Sequence, residues 1–159
     1  MKKIFARRGF LLRMAALFTL PWLTMRSAHA QNQQSVQSET SEAIIKRITG
    51  GAALQEGRVK LEIPVLADNG NSVSLRVIVD SPMTSANHVK SIHLIAPKNP
   101  RPAVASFFYG AGAGRPQLST RIRLSGSQGV MAIAALSDGS YWSATAEVAV
   151  TVSACWDAS

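Results

Sequence analysis

Apolar residues recur at every second position from Arg58 onward, and this alternation constrains the fold more than any other feature. Val59, Leu61 and Ile63 alternate with polar neighbours, and turn residues separate the later runs. Seven runs are predicted as strands, at residues 59–63, 73–79, 88–96, 103–109, 118–124, 130–136 and 142–152. Seven short strands in about a hundred residues are typical of an immunoglobulin-like sandwich. The sequence therefore predicts an all-β fold of this class.

Two segments of different character precede the strands. Residues 31–41 consist almost entirely of Gln, Ser, Asn and Thr, which predicts a flexible lead-in with too little apolar content to pack. Residues 42–49 carry isoleucines on one helical face, so we expect one short helix, lying at the edge of the domain. Ser41 is the predicted N-cap, and Gly50 follows the helix as a predicted C-terminal signal.

Residues 1–30 have the composition of a signal peptide rather than of a folded segment. A basic start is followed by an apolar stretch at 14–25 and by the small-x-small pattern Ala-His-Ala at 28–30. Arg7 and Arg8 match the paired arginines of a twin-arginine signal. Their neighbours match it only in part, so an ordinary Sec signal stays an alternative. Both routes predict a bacterial periplasmic protein.

The high positive charge of the chain belongs largely to this leader. The leader holds six of the seventeen basic residues and none of the nine acidic residues. The mature chain then has a net charge of +2, which removes the main electrostatic support for a nucleic-acid partner. The mature sequence contains no apolar stretch of transmembrane length, so no membrane role is predicted after processing.

Motifs of metal, cofactor and hydrolase sites are missing from the mature sequence. His88 and His93 are five residues apart, which predicts opposite faces of one strand and no shared metal. The glycine-rich stretch 110–114 is interpreted as a mobile loop, because a phosphate-binding loop would have to open a helix. Arg121 and Arg123 share a face by their spacing; a solvated face is favoured over a site for an anion or acidic partner. No cofactor is predicted.

Cys155 is the one candidate for chemistry. It is the single cysteine of the chain and lies in a C-terminal arm, residues 153–159, that follows the predicted domain at 42–152. A single cysteine cannot form an internal disulfide, and an unpaired thiol in an oxidising compartment is a liability unless it reacts. A position four residues from the chain end is difficult to bury. A reactive or cross-linking role is therefore favoured over burial.

The chain, from residue 43 to residue 155, resembles the SoxY family, the carrier subunits of the periplasmic sulfur-oxidising system. Eight segments carry the resemblance: ITGG at 48–51, IPVLADNG at 63–70, DSPMT at 80–84, VKSI at 89–92, NPRP at 99–102, STRIRL at 119–124, SDG at 137–139 and VTV at 150–152. The resemblance implies an immunoglobulin-like subunit paired with a SoxZ-like subunit. It also implies that Cys155 accepts thiosulfate through a SoxAX-like cytochrome, and that a SoxB-like enzyme hydrolyses the outer sulfone. The carrier itself is expected to have no catalytic centre.

The arm departs from the family pattern. Family members end in Gly-Gly-Cys-Gly-Gly, whereas residues 153–159 read SACWDAS, with no glycine beside the thiol. Trp156 is expected either to obstruct a tunnel shaped for the usual arm or to contact an adapted partner. Asp157 adds negative charge, which disfavours an anionic adduct. Counted from Ser153, the arm reaches on the order of 10 Å beyond the last strand.

Two interpretations follow from this departure. In the first, the protein is a working carrier whose partners accommodate Trp156. In the second, it is a divergent SoxY-like binding subunit that has left thiosulfate oxidation. Cys155 would then serve another acceptor or a disulfide-linked homodimer.

Overall fold

The computed structural model describes residues 39–154, which form one helix followed by nine strands. The elements are α1 (Ser41–Thr49), β1 (Leu54–Gln55), β2 (Val59–Glu62), β3 (Leu66–Asn69), β4 (Val73–Val79), β5 (Val89–Ile95), β6 (Ala103–Phe108), β7 (Gln117–Ile122), β8 (Gln128–Leu136) and β9 (Tyr141–Val152). Within this described part, no helix has the length and apolar character needed to cross a membrane.

The strands form two sheets. The larger sheet has the order β1-β9-β8-β5-β6, with β3 pairing to β9 as well, and the smaller sheet has the order β2-β4-β7. Most pairs are antiparallel, but β1 and β3 run parallel to β9 near its two ends. This arrangement confirms the predicted all-β, immunoglobulin-like sandwich with one short N-terminal helix.

The predicted alternation places the core between the two sheets. On β4, Val73, Leu75, Val77 and Val79 are buried while the residues between them face outward. They pack in one cluster with residues of β8, namely Val130, Ala132, Ala134 and Leu136. Full burial of a Val or Leu side chain is worth about 1.5–3 kcal/mol, so this interface is the main stabilising contact between the sheets.

The helix begins and ends close to the predicted residues. Thr40, rather than the predicted Ser41, is the N-cap, and its Oγ1 accepts a hydrogen bond from the Ala43 amide at 3.3 Å. Both residue types can cap, and Ser41 is already helical. Gly50 ends the helix in the left-handed conformation, with a φ of 63°, as its sequence position predicts.

The helix packs on the outer face of the larger sheet, so its predicted position at the edge of the domain is wrong. Ile44 is buried there against Ile95 of β5 and Ile133 of β8. The physical reason lies in β8, which is apolar on both faces because residues 130–136 contain no polar side chain. The helix covers the apolar outer face that this strand would otherwise expose.

Two strands, β1 and β3, are absent from the sequence prediction. β3 includes the polar residues Asp68 and Asn69, and the turn that follows begins only at Gly70. These polar residues are tolerated in a strand because both side chains are exposed and the backbone pairs with β9. The pairing joins residues about eighty positions apart, which local patterns do not reveal.

Candidate functional site

The predicted site residues lie outside the described part of the chain. Cys155 and Trp156 follow its last residue, and Arg7 and Arg8 precede its first residue. The description ends at Ala154, which directly precedes the cysteine. The contacts of the residues up to Ala154 therefore determine where the chain that carries Cys155 begins.

The last strand, β9, extends beyond its neighbour in the larger sheet. β8 pairs with β9 only as far as Gln128, which lies opposite Val148. From Ala149 onward β9 pairs with β3 on one side. On its other side the Val150 amide donates to the Ser127 hydroxyl oxygen at 2.8 Å. The end of β9 is thus held on both flanks after the main ladder stops.

Four residues then fix the chain immediately before the cysteine, and we call them the backbone clasp: Gly70, Leu124, Val152 and Ala154. The Gly70 amide donates to the Val152 carbonyl at 2.7 Å, and the Leu124 amide donates to the Gly70 carbonyl at 2.8 Å. The Ala154 amide donates to the Leu124 carbonyl at 3.0 Å. The clasp joins three separate segments through backbone groups alone.

Glycine is required at position 70 by the space that the clasp leaves. A Cβ atom built on Gly70 would collide with the Leu124 carbonyl oxygen and would lie 2.9 Å from the Ala154 amide nitrogen. Backbone atoms cannot move aside without breaking the clasp hydrogen bonds. The contact of Gly70 with Ala154 has no local sequence signal, because the two residues are far apart in the chain.

Two buried amide side chains hold the loop that supplies Leu124. Asn99 is 4% exposed and Gln128 is 3% exposed. Asn99 Nδ2 donates to the Arg123 carbonyl at 2.8 Å, and its Oδ1 accepts from the Ser125 amide at 3.0 Å. Gln128 Nε2 donates to the same Asn99 oxygen at 3.0 Å. The position of the clasp is therefore fixed by a satisfied buried network rather than by apolar packing alone.

The described chain is held to the sandwich up to Ala154, the residue before the cysteine. Ala154 is buried, with 6% of its surface exposed, and its amide is bonded to the Leu124 carbonyl. The last strand ends at Val152, as predicted. The reach of the arm from Ser153 to Cys155 stays a prediction, because Cys155 lies outside the described residues.

Arg121 and Arg123 lie at the same end of the sandwich as the clasp. Arg121 is near the end of β7 and Arg123 directly precedes Leu124. Both are exposed, and both line one cavity of about 240 Å³ together with Arg101. The structure thus brings together the predicted pair and a third arginine, Arg101, which no local sequence pattern connects with them.

The two described histidines have different hydrogen-bond partners. His88 precedes β5, so the prediction of one shared strand is wrong, and its Nδ1 lies 3.2 Å from the Thr84 carbonyl oxygen. His93 lies between two hydroxyl oxygens, with Nε2 2.9 Å from Ser91 Oγ and Nδ1 2.8 Å from Ser106 Oγ. Burial lowers the pKa of His93, and the charge of Arg47 lowers it further. Within residues 39–154, no group of three His, Cys, Asp or Glu side chains could hold a metal ion.

Comparison with known proteins gives a family and a fold. The family model described as sulfur oxidation protein SoxY matches residues 45–155. The structure is similar to that of the sulfur carrier protein SoxY from Chlorobium limicola f thiosulfatophilum. The two are 25% identical, with a TM-score of 0.58, over 67% of this chain and 88% of that chain. No curated protein is significantly similar in sequence.

The same fold occurs in proteins of another description. A superoxide reductase (neelaredoxin) from Ignicoccus hospitalis is 22% identical with a TM-score of 0.53, over 59% of this chain and 80% of that one. A superoxide reductase from Nanoarchaeum equitans is 14% identical with a TM-score of 0.51, over 60% of this chain and the whole of that one. At these identities the likeness concerns the fold alone.

Proposed function

This chain belongs to the SoxY family of sulfur oxidation proteins, and from that premise we propose that it is a periplasmic carrier that holds thiosulfate-derived sulfur covalently on Cys155. One observation supports the choice of site most directly. Ala154, the last described residue, is anchored to the sandwich through its amide, and the single cysteine of the sequence follows it directly. A carrier needs a thiol that is presented at the surface by a base of fixed position.

The proposed loading step joins the sulfane sulfur of thiosulfate to the Cys155 sulfur. The thiol loses its proton and the new S–S bond forms, which releases two electrons. A SoxAX-like cytochrome is the proposed partner that accepts these electrons. The product is an anionic S-thiosulfonate on the protein. A SoxB-like enzyme then adds water across the outer S–S bond, releasing sulfate and leaving a persulfide on the cysteine.

The carrier contributes recognition and the thiol, and its partners contribute the catalysis. A SoxZ-like subunit is the proposed heterodimer partner, and export through the twin-arginine route would carry the folded pair. Because the clasp leaves little free chain before Cys155, each enzyme has to accept part of the sandwich surface along with the arm.

The arm sequence supports one alternative. Residues 153–159 lack the glycines that would let an arm enter a narrow channel, and Trp156 follows the thiol directly. A subunit that has left thiosulfate oxidation would keep the sandwich and use Cys155 for another acceptor or for a disulfide-linked homodimer. The loading experiment separates the two functions.

That experiment is intact-mass spectrometry of the mature protein, isolated without reductant from cells that grow on thiosulfate and co-express the SoxZ-like subunit. The carrier function predicts thiosulfonate and sulfane adducts that map to Cys155 and are absent from Cys155→Ser. Ser153→Ala keeps the thiol and is the matched control, with adducts at the wild-type level. A bare thiol or a homodimer disulfide as the only species would contradict the carrier function and favour the alternative.

A second variant tests the effect of Trp156. If this side chain obstructs enzymes shaped for the usual arm, Trp156→Gly should be loaded faster than the wild type by SoxAX-like enzymes of other species. Slower loading of Trp156→Gly by the protein's own partners would instead indicate that Trp156 contacts them.

A further inference from the structure

The positive charge of the described chain is concentrated on one surface. We call this surface the arginine strip and define it by Arg76, Arg101, Arg121 and Arg123. Among the described residues that line its two depressions, Glu62 is the only acidic one, and its carboxylate lies 2.7 Å from Lys60 Nζ. Residues 39–154 contain eleven basic and eight acidic residues, a net charge of +3. The strip with its flanking Lys60 and Glu62 carries +4, so the remainder of the described chain is slightly negative.

The first part of the strip is the outer face of the smaller sheet. Register places Arg76 beside Ser119, and Arg76 Nε donates to Ser119 Oγ at 3.3 Å. Arg121 lies opposite Ser74 on the same face. These side chains and Glu62 line a shallow groove of about 500 Å³.

The second part lies between the edges of the two sheets. A cavity of about 240 Å³ separates the beginning of β6 from the end of β7, and Arg101, Arg121 and Arg123 line it. No acidic side chain lines this cavity among the described residues. Arg121 also lines the groove on the smaller sheet, so the two depressions form one continuous basic surface.

The strip ends beside the backbone clasp. Arg123 is followed directly by Leu124, whose carbonyl accepts the hydrogen bond from the Ala154 amide at 3.0 Å. A molecule that covers the strip therefore comes within a few residues of Cys155. The location of the charge at this end of the sandwich is the second observation, besides its amount, that points to a partner.

We propose that the arginine strip docks an acidic surface of a protein partner and brings that partner to the C-terminal arm. The last part of this statement rests on the proposed carrier function; the docking itself does not. A protein surface fits better than a single small anion, because four guanidinium groups are spread over two depressions. Exposed charges hold one ion weakly in water, whereas several contacts with an extended acidic surface add together and accelerate association.

The test uses two probes on the mature chain carrying Cys155→Ser, which removes disulfide dimers and sulfur loading from the measurement. A peptide of ten glutamates and sodium sulfate are titrated separately at equal ionic strength while amide resonances are followed by NMR. We expect the peptide to shift residues of β4, of β7 and around Arg101 and Arg123. Its affinity should fall steeply as salt is added.

Charge reversal identifies the strip as the binding surface. Arg76→Glu combined with Arg121→Glu should weaken peptide binding by about tenfold or more. The matched control, Lys46→Glu with Lys90→Glu, makes the same change in net charge on helix α1 and strand β5, and should weaken binding by less than about threefold. Arg76→Gln with Arg121→Gln should give an intermediate loss and guards against misfolding of the reversed variant.

Three results would overturn the proposal. The first is equal loss in the strip and control variants, which would assign the binding to net charge. The second is the absence of peptide binding at low salt. The third is sulfate binding at the 240 Å³ cavity more tightly than the peptide, which would assign a small-oxyanion site instead. None of these results depends on the adducts measured on Cys155.

Discussion

Buried polar side chains at the two ends of the sandwich differ in their hydrogen bonding. At the arm end, the Asn99 oxygen accepts hydrogen bonds from Ser125 and Gln128, and its amide donates to the Arg123 carbonyl. At the far end, in the loop before β5, the Asn87 Oδ1 atom is buried and accepts no hydrogen bond from the described residues. The Asn99 side chain thus makes its hydrogen bonds, whereas the Asn87 oxygen makes none with the described residues.

This difference indicates which of the two loops the fold holds in one position. A buried amide costs free energy unless its hydrogen bonds are made, and a complete network holds its members in one geometry. The network around Asn99 holds residues 123–128, which supply the Leu124 carbonyl to the backbone clasp. Hydrogen bonds therefore hold the arm end of the sandwich up to Ala154, whereas the far end includes exposed glycine-rich chain at 110–114.

The largest effect is expected from removing the satisfied asparagine. Asn99→Ala leaves the Arg123 carbonyl, the Ser125 amide and Gln128 Nε2 without this partner, and should lower the free energy of unfolding by about 3 kcal/mol. Asn87→Ala removes an oxygen that is already unpaired and should change it by less than about 0.5 kcal/mol. Urea unfolding measures both. Equal losses in the two variants would contradict the comparison.

The clasp glycine should give the next largest effect. Gly70→Ala forces a Cβ atom against the Leu124 carbonyl and the Ala154 amide, at an expected loss of about 2 kcal/mol. Gly110→Ala is the matched control at the far end, because nothing lies within 4 Å of the added atom. That control should keep wild-type stability. In Gly70→Ala, amide exchange at Ala154 should also become faster, and an unchanged rate there would show that Gly70 does not position the arm.

A smaller effect is expected at the flank of β9. Ser127→Ala removes the acceptor of the Val150 amide and should reduce stability by about 1 kcal/mol. Hydrogen exchange should show the loss of protection at Val150 first. Ser153→Ala is the control, because Ser153 is exposed and its hydroxyl bonds to no described residue. Unchanged protection of Val150 in Ser127→Ala would show that the Ser127 side chain does not hold the end of β9.

The smallest effect is expected on the outer face of the larger sheet, which belongs to neither end. The pKa of His93 is below its ordinary value of 6.5 in the folded chain, through burial and then the charge of Arg47. The unfolded chain therefore binds the proton more readily, and stability should fall as the pH falls from 6.5 toward the folded pKa. Urea unfolding at a series of pH values should show this slope, reduced in Arg47→Gln and smallest in His93→Gln. A slope that is unchanged in His93→Gln would assign it to other groups.

Sequence patterns predicted the features that depend on local alternation. The buried positions of β4 and the left-handed Gly50 follow from short stretches of sequence, and both are confirmed. β3 could not be predicted in this way, because its stability comes from pairing with the distant β9 and its polar residues resemble a turn. The helix position could not be predicted either, since it depends on an outer sheet face that is apolar at Ile95 and Ile133.

The candidate site divides in the same manner. Cys155 stands out in the sequence because it is the single cysteine. The clasp does not stand out, because Gly70, Leu124 and Ala154 are far apart in the chain and meet through backbone atoms. Asn99 belongs to the segment NPRP at 99–102, which carries part of the family resemblance, and its hydrogen-bond network becomes visible only in the folded chain.

In the proposed function, the sandwich holds the chain through Ala154 and presents the next residue, Cys155, from a fixed base. Amide hydrogen exchange of the mature protein tests it directly. The amides of Gly70, Leu124 and Ala154 should all be protected, with Ala154 exchanging at least about 100-fold more slowly than in an unstructured peptide. Exchange of Ala154 at the peptide rate, while Gly70 and Leu124 stay protected, would contradict the claim and place the start of the free arm before Ala154.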